Sequence, residues 1–422
     1  MEGRIQEGPL GTHGRDVPLL FATRIIRLFC YGFLSVVLAL YLAKVGFDER
    51  QIGLLFTLTL AGDAAITLWL TTSADRFGRK RTLIAGALLM LGAGIVFILT
   101  RNMAALMGAA IIGVISPSCN EIGPFLSVEQ ASLSQLLPGE RRTHMFAWYN
   151  LAGSFATAVG ALAGGWLAQG LQVRGVPAVQ SYRVVLAGYA LGGAALALIF
   201  LSLSRKIEVE RLPAATPRPR SFGLHRSRPI VVRLAALFSL DAFAGGLVIQ
   251  SMIAYWFHIR FGVDAGVIGS VFFGTNLLAG VSALLAARLA RKIGLIRTMV
   301  FTHVPSNILL MLVPLMPSLP LAAIMLLLRF SISQMDVPTR QSYTMAVVSP
   351  DERSAASGVT SIARSVGAAV SPSLTGIFLA SRALLSLPFF LSGGLKLIYD
   401  GLLYRSFRAI RPPEEAQPPP RE

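Results

Sequence analysis

Apolar residues run through this 422-residue chain in long blocks, neither alternating as in half-buried strands nor confined to one helical face. Blocks of roughly 20 residues, the length a helix needs to cross the hydrocarbon of a bilayer, recur along it. With Gly, Pro and charged residues as punctuation, twelve spans are predicted near 20–42, 51–71, 82–100, 103–137, 146–168, 183–203, 231–257, 265–287, 299–316, 320–347, 357–380 and 384–404. Spans four and ten exceed what a bilayer requires and carry prolines, so both are expected to bend or to project beyond it. The first block reads as a retained span: no small-residue cleavage site follows it and another span comes soon after.

Composition agrees with this pattern. The chain is 54% hydrophobic and 14% charged, against about 25% charged residues in soluble domains. Lys and Arg number 38 against 21 Asp and Glu, a formal charge of +17 that in a soluble protein would suggest nucleic acid. Here the basic residues sit in short loops between spans, so the bilayer is the expected partner and nucleic acid is not. Placing the N-terminus in the cytoplasm puts most of them on the cytoplasmic side, which predicts a multi-pass protein of the cell (plasma or inner) membrane with both termini inside. Cys30 and Cys119 lie in apolar runs and read as small hydrophobes. His258 and His303 fall near span ends outside any metal-ligand cluster, so neither a metal nor another cofactor is expected.

The chain repeats itself at half its length. Gly139-Glu140-Arg141-Arg142 aligns with Asp351-Glu352-Arg353-Ser354, and Arg76-Phe77-Gly78-Arg79-Lys80 with Arg288-Leu289-Ala290-Arg291-Lys292, both at an offset of 212 positions. Gly46 and Gly262 need an offset of 216 and hence a small gap. Such self-similarity marks a transporter built from two parallel repeats, with its site between them near the midplane. The predicted organisation is a tail at 1–18, a six-helix bundle at 19–204, a basic proline-rich linker at 205–230, a second six-helix bundle at 231–404 and a tail at 405–422. The fold class is an all-α integral membrane protein.

The segment Thr71-Thr72-Ser73-Ala74-Asp75-Arg76-Phe77-Gly78-Arg79-Lys80-Arg81 resembles the GxxxDRxGRR signature between helices 2 and 3 of the major facilitator superfamily. Thr71 replaces the leading glycine, and the second half has Ala287 where the aspartate would be. The resemblance implies two pseudo-symmetric six-helix bundles, a protein working as a monomer, and a gating latch formed by Asp75, Arg76, Gly78 and Arg79, with Arg142 as a local partner. Gly160-Ala161-Leu162-Ala163-Gly164-Gly165 in helix 5 looks like the family's antiporter motif with alanine in place of proline; a helix-packing face accounts for the same residues.

Ionisable side chains at membrane depth cost at least about 2.5–3.5 kcal/mol each, so they call for a partner, a wet cavity or transport chemistry. Span four carries Glu121 and Glu129 beside Pro117, Gly123 and Pro124; span ten, its repeat equivalent, carries Arg329, Asp336 and Arg340 beside Pro338. Proline-interrupted spans at matching places point to a binding site, so these five residues, with Gln250 of span seven, are the predicted substrate contacts. Asp241 in span seven has no basic residue at helical spacing and reads as a lone carboxyl suited to proton coupling, with Glu129 as its competitor. Arg24 and Arg27 are expected to snorkel from span one to the surface, with Arg24 joining Arg329 and Arg340 as an anion-attracting group if it turns inward. Asp63 and the Lys396, Asp400 pair read as structural.

Motifs for nucleotide hydrolysis, zinc peptidase chemistry and a serine nucleophile are absent from the sequence, so an enzyme is not expected. The leading expectation is a secondary active transporter exporting a small organic compound against a proton flow by alternating access. Uptake or exchange of an anionic metabolite through an Arg-lined cavity is the alternative. A sensor or scaffold that moves no solute is a third reading from another class.

Overall fold

The computed structural model of the chain describes residues 15–119, 121, 123–137, 139–208 and 224–408, except for the side chains of residues 71–76, 139–143, 350 and 354. The described residues are helical with short connections and no strand. In the first half run α1 (Asp16–Ser35), α2 (Leu38–Val45), α3 (Glu49–Phe77), α4 (Arg79–Leu99), α5 (Met103–Ile112), α6 (Phe125–Leu136), α7 (Gly139–Val173) and α8 (Ala178–Leu201). The second half follows with α9 (Arg228–Gly246), α10 (Gln250–Phe261), α11 (Ala265–Ile293), α12 (Leu295–Leu312), α13 (Leu319–Ser333), α14 (Asp336–Val347), α15 (Arg353–Leu379) and α16 (Leu387–Phe407).

Among the described residues, eleven helical stretches are long and apolar enough to cross a membrane, and the shorter α5 supplies part of the remaining one. The twelve predicted spans are therefore present, and four of them are broken in two. Span one breaks between α1 and α2, span four between α5 and α6, span seven between α9 and α10, and span ten between α13 and α14. These are the first and fourth spans of each half, so the repeat extends to where the helices fail. Spans four and ten had been expected to bend; the breaks in one and seven were not foreseen.

Local chemistry explains three of the breaks. In span four, Pro117 removes a donor, Cys119 takes φ 63°, Gly123 takes φ 76°, and Pro124 stands where a new helix begins. In span ten, Pro338 lies in the first turn of α14, where its missing N–H is not needed. In span seven, Gly245-Gly246 weakens the end of α9. Span one carries neither proline nor glycine at its break; the adjacent β-branched Val36 and Val37 are the only local signal.

The halves pack through α7 against α11 and α3 against α15. Both seams close by small residues. A Cβ placed on Gly53 would stand 2.5 Å from the Pro372 carbonyl oxygen and 2.9 Å from Gly376 Cα, while one on Gly269 would stand 2.6 Å from the Ala161 carbonyl oxygen. Gly53 is near the start of α3 and Gly376 near the end of α15, so this closure lies away from the linker. At the linker end, Glu208 instead accepts from the Arg79 and Lys80 amides at 2.7 and 3.2 Å, a carboxylate cap on α4 of the same half.

Candidate functional site

Three helix breaks meet between the halves. Ser251, in the first turn of α10, donates its amide to the Pro117 carbonyl at 3.0 Å and its hydroxyl to the Ser35 carbonyl at 2.7 Å. Gln250 donates Nε2 to Ser35 Oγ at 2.9 Å, lies 3.4 Å from Cys119 Sγ, and accepts from Asn276 Nδ2 at 3.2 Å. Backbone groups released by the breaks must find partners when water is excluded, and Ser251 supplies them across the seam. Gln250, predicted from its type and place, is thus part of the inter-half junction.

On the linker side of this junction the first half buries a compact ionic network. Arg27 of α1 is 0% exposed and lies 2.6 Å from Glu121 and 2.7 Å from Glu129 of span four. It donates to both oxygens of Glu129, a bidentate pair. Glu129 also accepts from Thr23 at 2.8 Å and from the Tyr149 hydroxyl of α7. Arg24 reaches Glu121 at 3.0 Å and Asn150 at 3.2 Å, with its guanidinium 4.2 Å from the centre of the Tyr149 ring. Two arginines meet two glutamates and the charges balance. The expectation that Arg24 and Arg27 snorkel to the surface fails because burial beside Glu121 and Glu129 gives each a direct partner, which the surface route does not.

The second half builds a larger network around Asp241 of α9. Lys396 of α16 donates to Oδ1 at 2.5 Å and Arg340 of α14 to Oδ2 at 2.9 Å; Arg364 of α15 and His303 of α12 each approach to 3.8 Å. Arg340 also holds Asp336 one turn earlier at 3.2 Å, a pair that their i,i+4 spacing allows. Asp400 accepts from His303 at 2.8 Å and from Asn307 at 3.1 Å. Asp241 is therefore not the lone carboxyl that helical spacing suggested, since four other helices bring basic groups to it. Lys396 and Asp400 do not form the expected pair and take separate partners within the network.

Two basic groups of this half keep unused donors. Arg364 has a 37% exposed side chain, its buried Nη1 makes no hydrogen bond among the described residues, and 3.8 Å to Asp241 is beyond hydrogen-bond range. Arg329 stacks on Phe330 with its guanidinium 4.7 Å from the ring centre, and its buried Nε is likewise unpartnered among the described residues. Arg329 was predicted. Arg364 was missed, although an arginine in the middle of an apolar span is the same signal that marked Arg329.

The signature loop is only partly described. Asp75, Arg76 and Arg142 lie outside the described side chains. Gly78 takes φ 99°, a left-handed conformation that a side chain would strain. Arg79 donates to Gln135 at 2.9 Å and to the Ile207 carbonyl at 3.2 Å, contacts within its own half. In helix 5, Gly160 and Gly164 lie against the Phe29 and Phe33 carbonyls of α1, and Gly165 faces Ala265 of α11. Its small residues form a packing face. A cleft of about 590 Å³ lined by apolar residues lies outside the ionic networks, between α1, α7 and α8, bordered by Ile25, Phe29, Phe155 and Leu191.

Comparison with known proteins agrees with this architecture. A family model described as Major Facilitator Superfamily matches residues 20–372 and 261–422. An uncharacterized membrane protein of Saccharomyces cerevisiae, YJR124C, is 32% identical over 425 aligned residues, covering 94% of this chain and 95% of its own. Among solved structures, the bacterial homologue of the human lysosomal transporter Spinster, in an inward-facing and unoccupied conformation, aligns with TM-score 0.69 at 16% identity over 94% of this chain and 96% of that one. The nucleoside transporter NupG aligns with TM-score 0.71 at 13% identity, over 93% and 99%. The peptide transporter POT bound to sulfate gives TM-score 0.71 at 15% identity, over 95% and 96%. By the family model and the length over which it matches, this chain belongs to the Major Facilitator Superfamily and has the fold of its secondary transporters.

Proposed function

We propose that the protein carries a small organic anion across its membrane by alternating access, with the space between α1 and α6 of one half and α9 and α14 of the other as the solute path. The observation that carries this reading is Arg364, whose Nη1 is buried without a hydrogen-bond partner while much of its side chain stays accessible. The second half supplies Arg340, Lys396, Arg364 and Arg329 against Asp241, Asp336 and Asp400, an excess of cation before His303 is counted. A planar guanidinium with free donors is suited to bidentate recognition of carboxylate or phosphate. The first half's network is balanced in charge; that half's unpartnered guanidinium donors among the described residues are the Arg24 Nε within the network and the Arg183 Nε of α8 outside it.

This reading takes the anionic alternative above export of an unspecified compound. The helix 5 residues that suggested export pack against α1 and α11, so the direction of flux is set by the assay and not by that motif. Closure away from the linker corresponds to a path open toward the linker side, which the basic-loop pattern makes the cytoplasm. The test is thermal stabilisation of the purified protein by a panel of small organic carboxylates and phosphates, followed by counterflow of the stabilising compound in proteoliposomes. Stabilisation and flux by an anion, both lost in Arg364→Gln and partly kept in Arg364→Lys, are expected. Stabilisation by cations or neutral compounds alone would refute the anion reading, and binding without flux would favour the sensor.

A further inference from the structure

Among the described residues, the carboxyl at membrane depth that neither network uses is Asp63, halfway along α3. Every other carboxyl at membrane depth among the described residues has a basic group within 4.0 Å: Glu121 and Glu129 have Arg27, Asp241 and Asp336 have Arg340, and Asp400 has His303. Asp63 makes no such pair among the described residues. Its partners are neutral donors, the Gly123 amide at 2.7 Å and the Thr67 hydroxyl at 3.3 Å, and both bonds end on Oδ1. Asp63 is thus held by two hydrogen bonds without an opposite charge, unlike the carboxyls of either network.

Position gives this carboxyl leverage. Gly123 is the left-handed residue in the break of span four, and Glu121, which bridges Arg24 and Arg27, is two residues before it. The same α3 carries the seam to the other half, where Thr57 Oγ1 accepts from the Ser373 amide at 3.0 Å and Gly53 meets Gly376. Asp63 therefore joins the break beside one ionic network to the helix that holds the closed end. A hydrogen bond to a carboxylate is roughly twice as strong as one to a neutral acceptor, so neutralisation loosens this joint.

We propose that Asp63 is the proton-binding site of the transport cycle, and that taking up a proton on Oδ2 weakens the hold on Gly123 and shifts the bundle between its two access states. The site deepens the transporter reading and replaces Asp241 and Glu129 as the coupling carboxyl. The phenols of Tyr31 from α1 and Tyr189 from α8 lie within its electrostatic reach, and Tyr189 is bonded to the Val114 carbonyl. On the elements packed against α3, charge is either distant or engaged: Lys44 ends α2, Arg79 to Arg81 start α4, α5 has none, Glu129 of α6 binds Arg27, Arg364 of α15 faces Asp241, and Arg353 begins α15.

The experiment is a pH titration of the purified full-length protein without solute, read by infrared difference spectroscopy and by distances between nitroxides at the linker ends of the two halves. Wild type should show a titrating carboxyl band and a shift in the distance distribution with pH. Asp63→Asn, whose side-chain oxygen can still accept from Gly123, should lose the band and stay in the acid distribution at every pH. Asp63→Glu should keep a displaced band and a displaced shift, which guards against misfolding of the neutral variant. An undiminished band in Asp63→Asn, or pH-dependent distances equal to wild type, would overturn the proposal. Neither readout involves an anion, so failure of the anion panel leaves this result standing, and a pH-blind Asp63 leaves the anion reading standing.

Discussion

The two halves hold charge at corresponding places in opposite senses. In the first, the cation is on the opening span and the carboxylates are on the fourth; in the second, the carboxylate is on the opening span and the cations are on the fourth and its neighbours. At the repeat offset of 212, Arg27 falls on Ser239 and Glu129 on Gln341, while Asp241 falls on Phe29 and Arg340 on Val128. What the repeat reproduces is the broken backbone, and the charges were placed on that frame separately. The first network is balanced and has every carboxylate doubly held. The second carries surplus cation and free guanidinium donors. On the proposed reading, the comparison separates a network that fixes helices together from one that receives a charged guest.

Breaking the balanced network should cost most. Arg27→Met leaves Glu129 buried with no cation, a type of loss worth about 3–5 kcal/mol, and should lower the unfolding temperature in detergent sharply. The double variant Arg27→Met with Glu129→Gln should recover much of that loss, because no buried charge is then stranded. Asp241→Asn should cost less, about 1–3 kcal/mol by the same measurement, since the amide oxygen can still accept from Lys396 and Arg340 keeps Asp336. Equal losses in Arg27→Met and Asp241→Asn would erase the distinction between the halves.

Gly53→Leu probes the seam both halves share. Its side chain has no room against Pro372 and Gly376, so nitroxide distances across the closed end should lengthen while stability changes little. The smallest effect is expected outside the membrane. Glu352 accepts from the Ser227 hydroxyl and from the His225, Ser227 and Arg226 amides, which holds its carboxyl down at about 2. A carboxyl lowered in the folded state stabilises fully above its unfolded value of about 4.3 and loses that contribution as pH falls toward 2. Glu352→Gln should flatten the pH dependence of unfolding temperature in that window and lower the unfolding temperature slightly at neutral pH, where the wild-type contribution is full.

The span count, the duplication and the breaks in spans four and ten were legible because each leaves a local mark: apolar length, a fixed offset, proline and glycine. The pair Asp336 and Arg340 was legible for the same reason, being one helical turn apart. Arg24 with Glu121, Arg27 with Glu129, and Lys396 with Asp241 were not, because nothing in helical spacing says which faces of distant spans meet. Asp241 looked solitary only along its own helix. Arg364 did carry a readable signal, an uncompensated charge in an apolar span, whereas the break at Val36 and Val37 had almost none. Small-residue spacing in helix 5 was legible as a close-approach motif, and the neighbours it approaches, α1 and α11, were not.

The division of labour between the halves is tested most directly by measuring anion-induced stabilisation in two arginine variants side by side. Each of Arg364→Gln and Arg24→Gln removes one guanidinium from one network, and a ligand at 100 times its Kd stabilises a protein by about 2.7 kcal/mol, well within reach of a thermal-shift measurement. The account predicts that the organic anion stabilising wild type loses its effect on Arg364→Gln and keeps it on Arg24→Gln. Stabilisation that survives in Arg364→Gln and disappears in Arg24→Gln would contradict it.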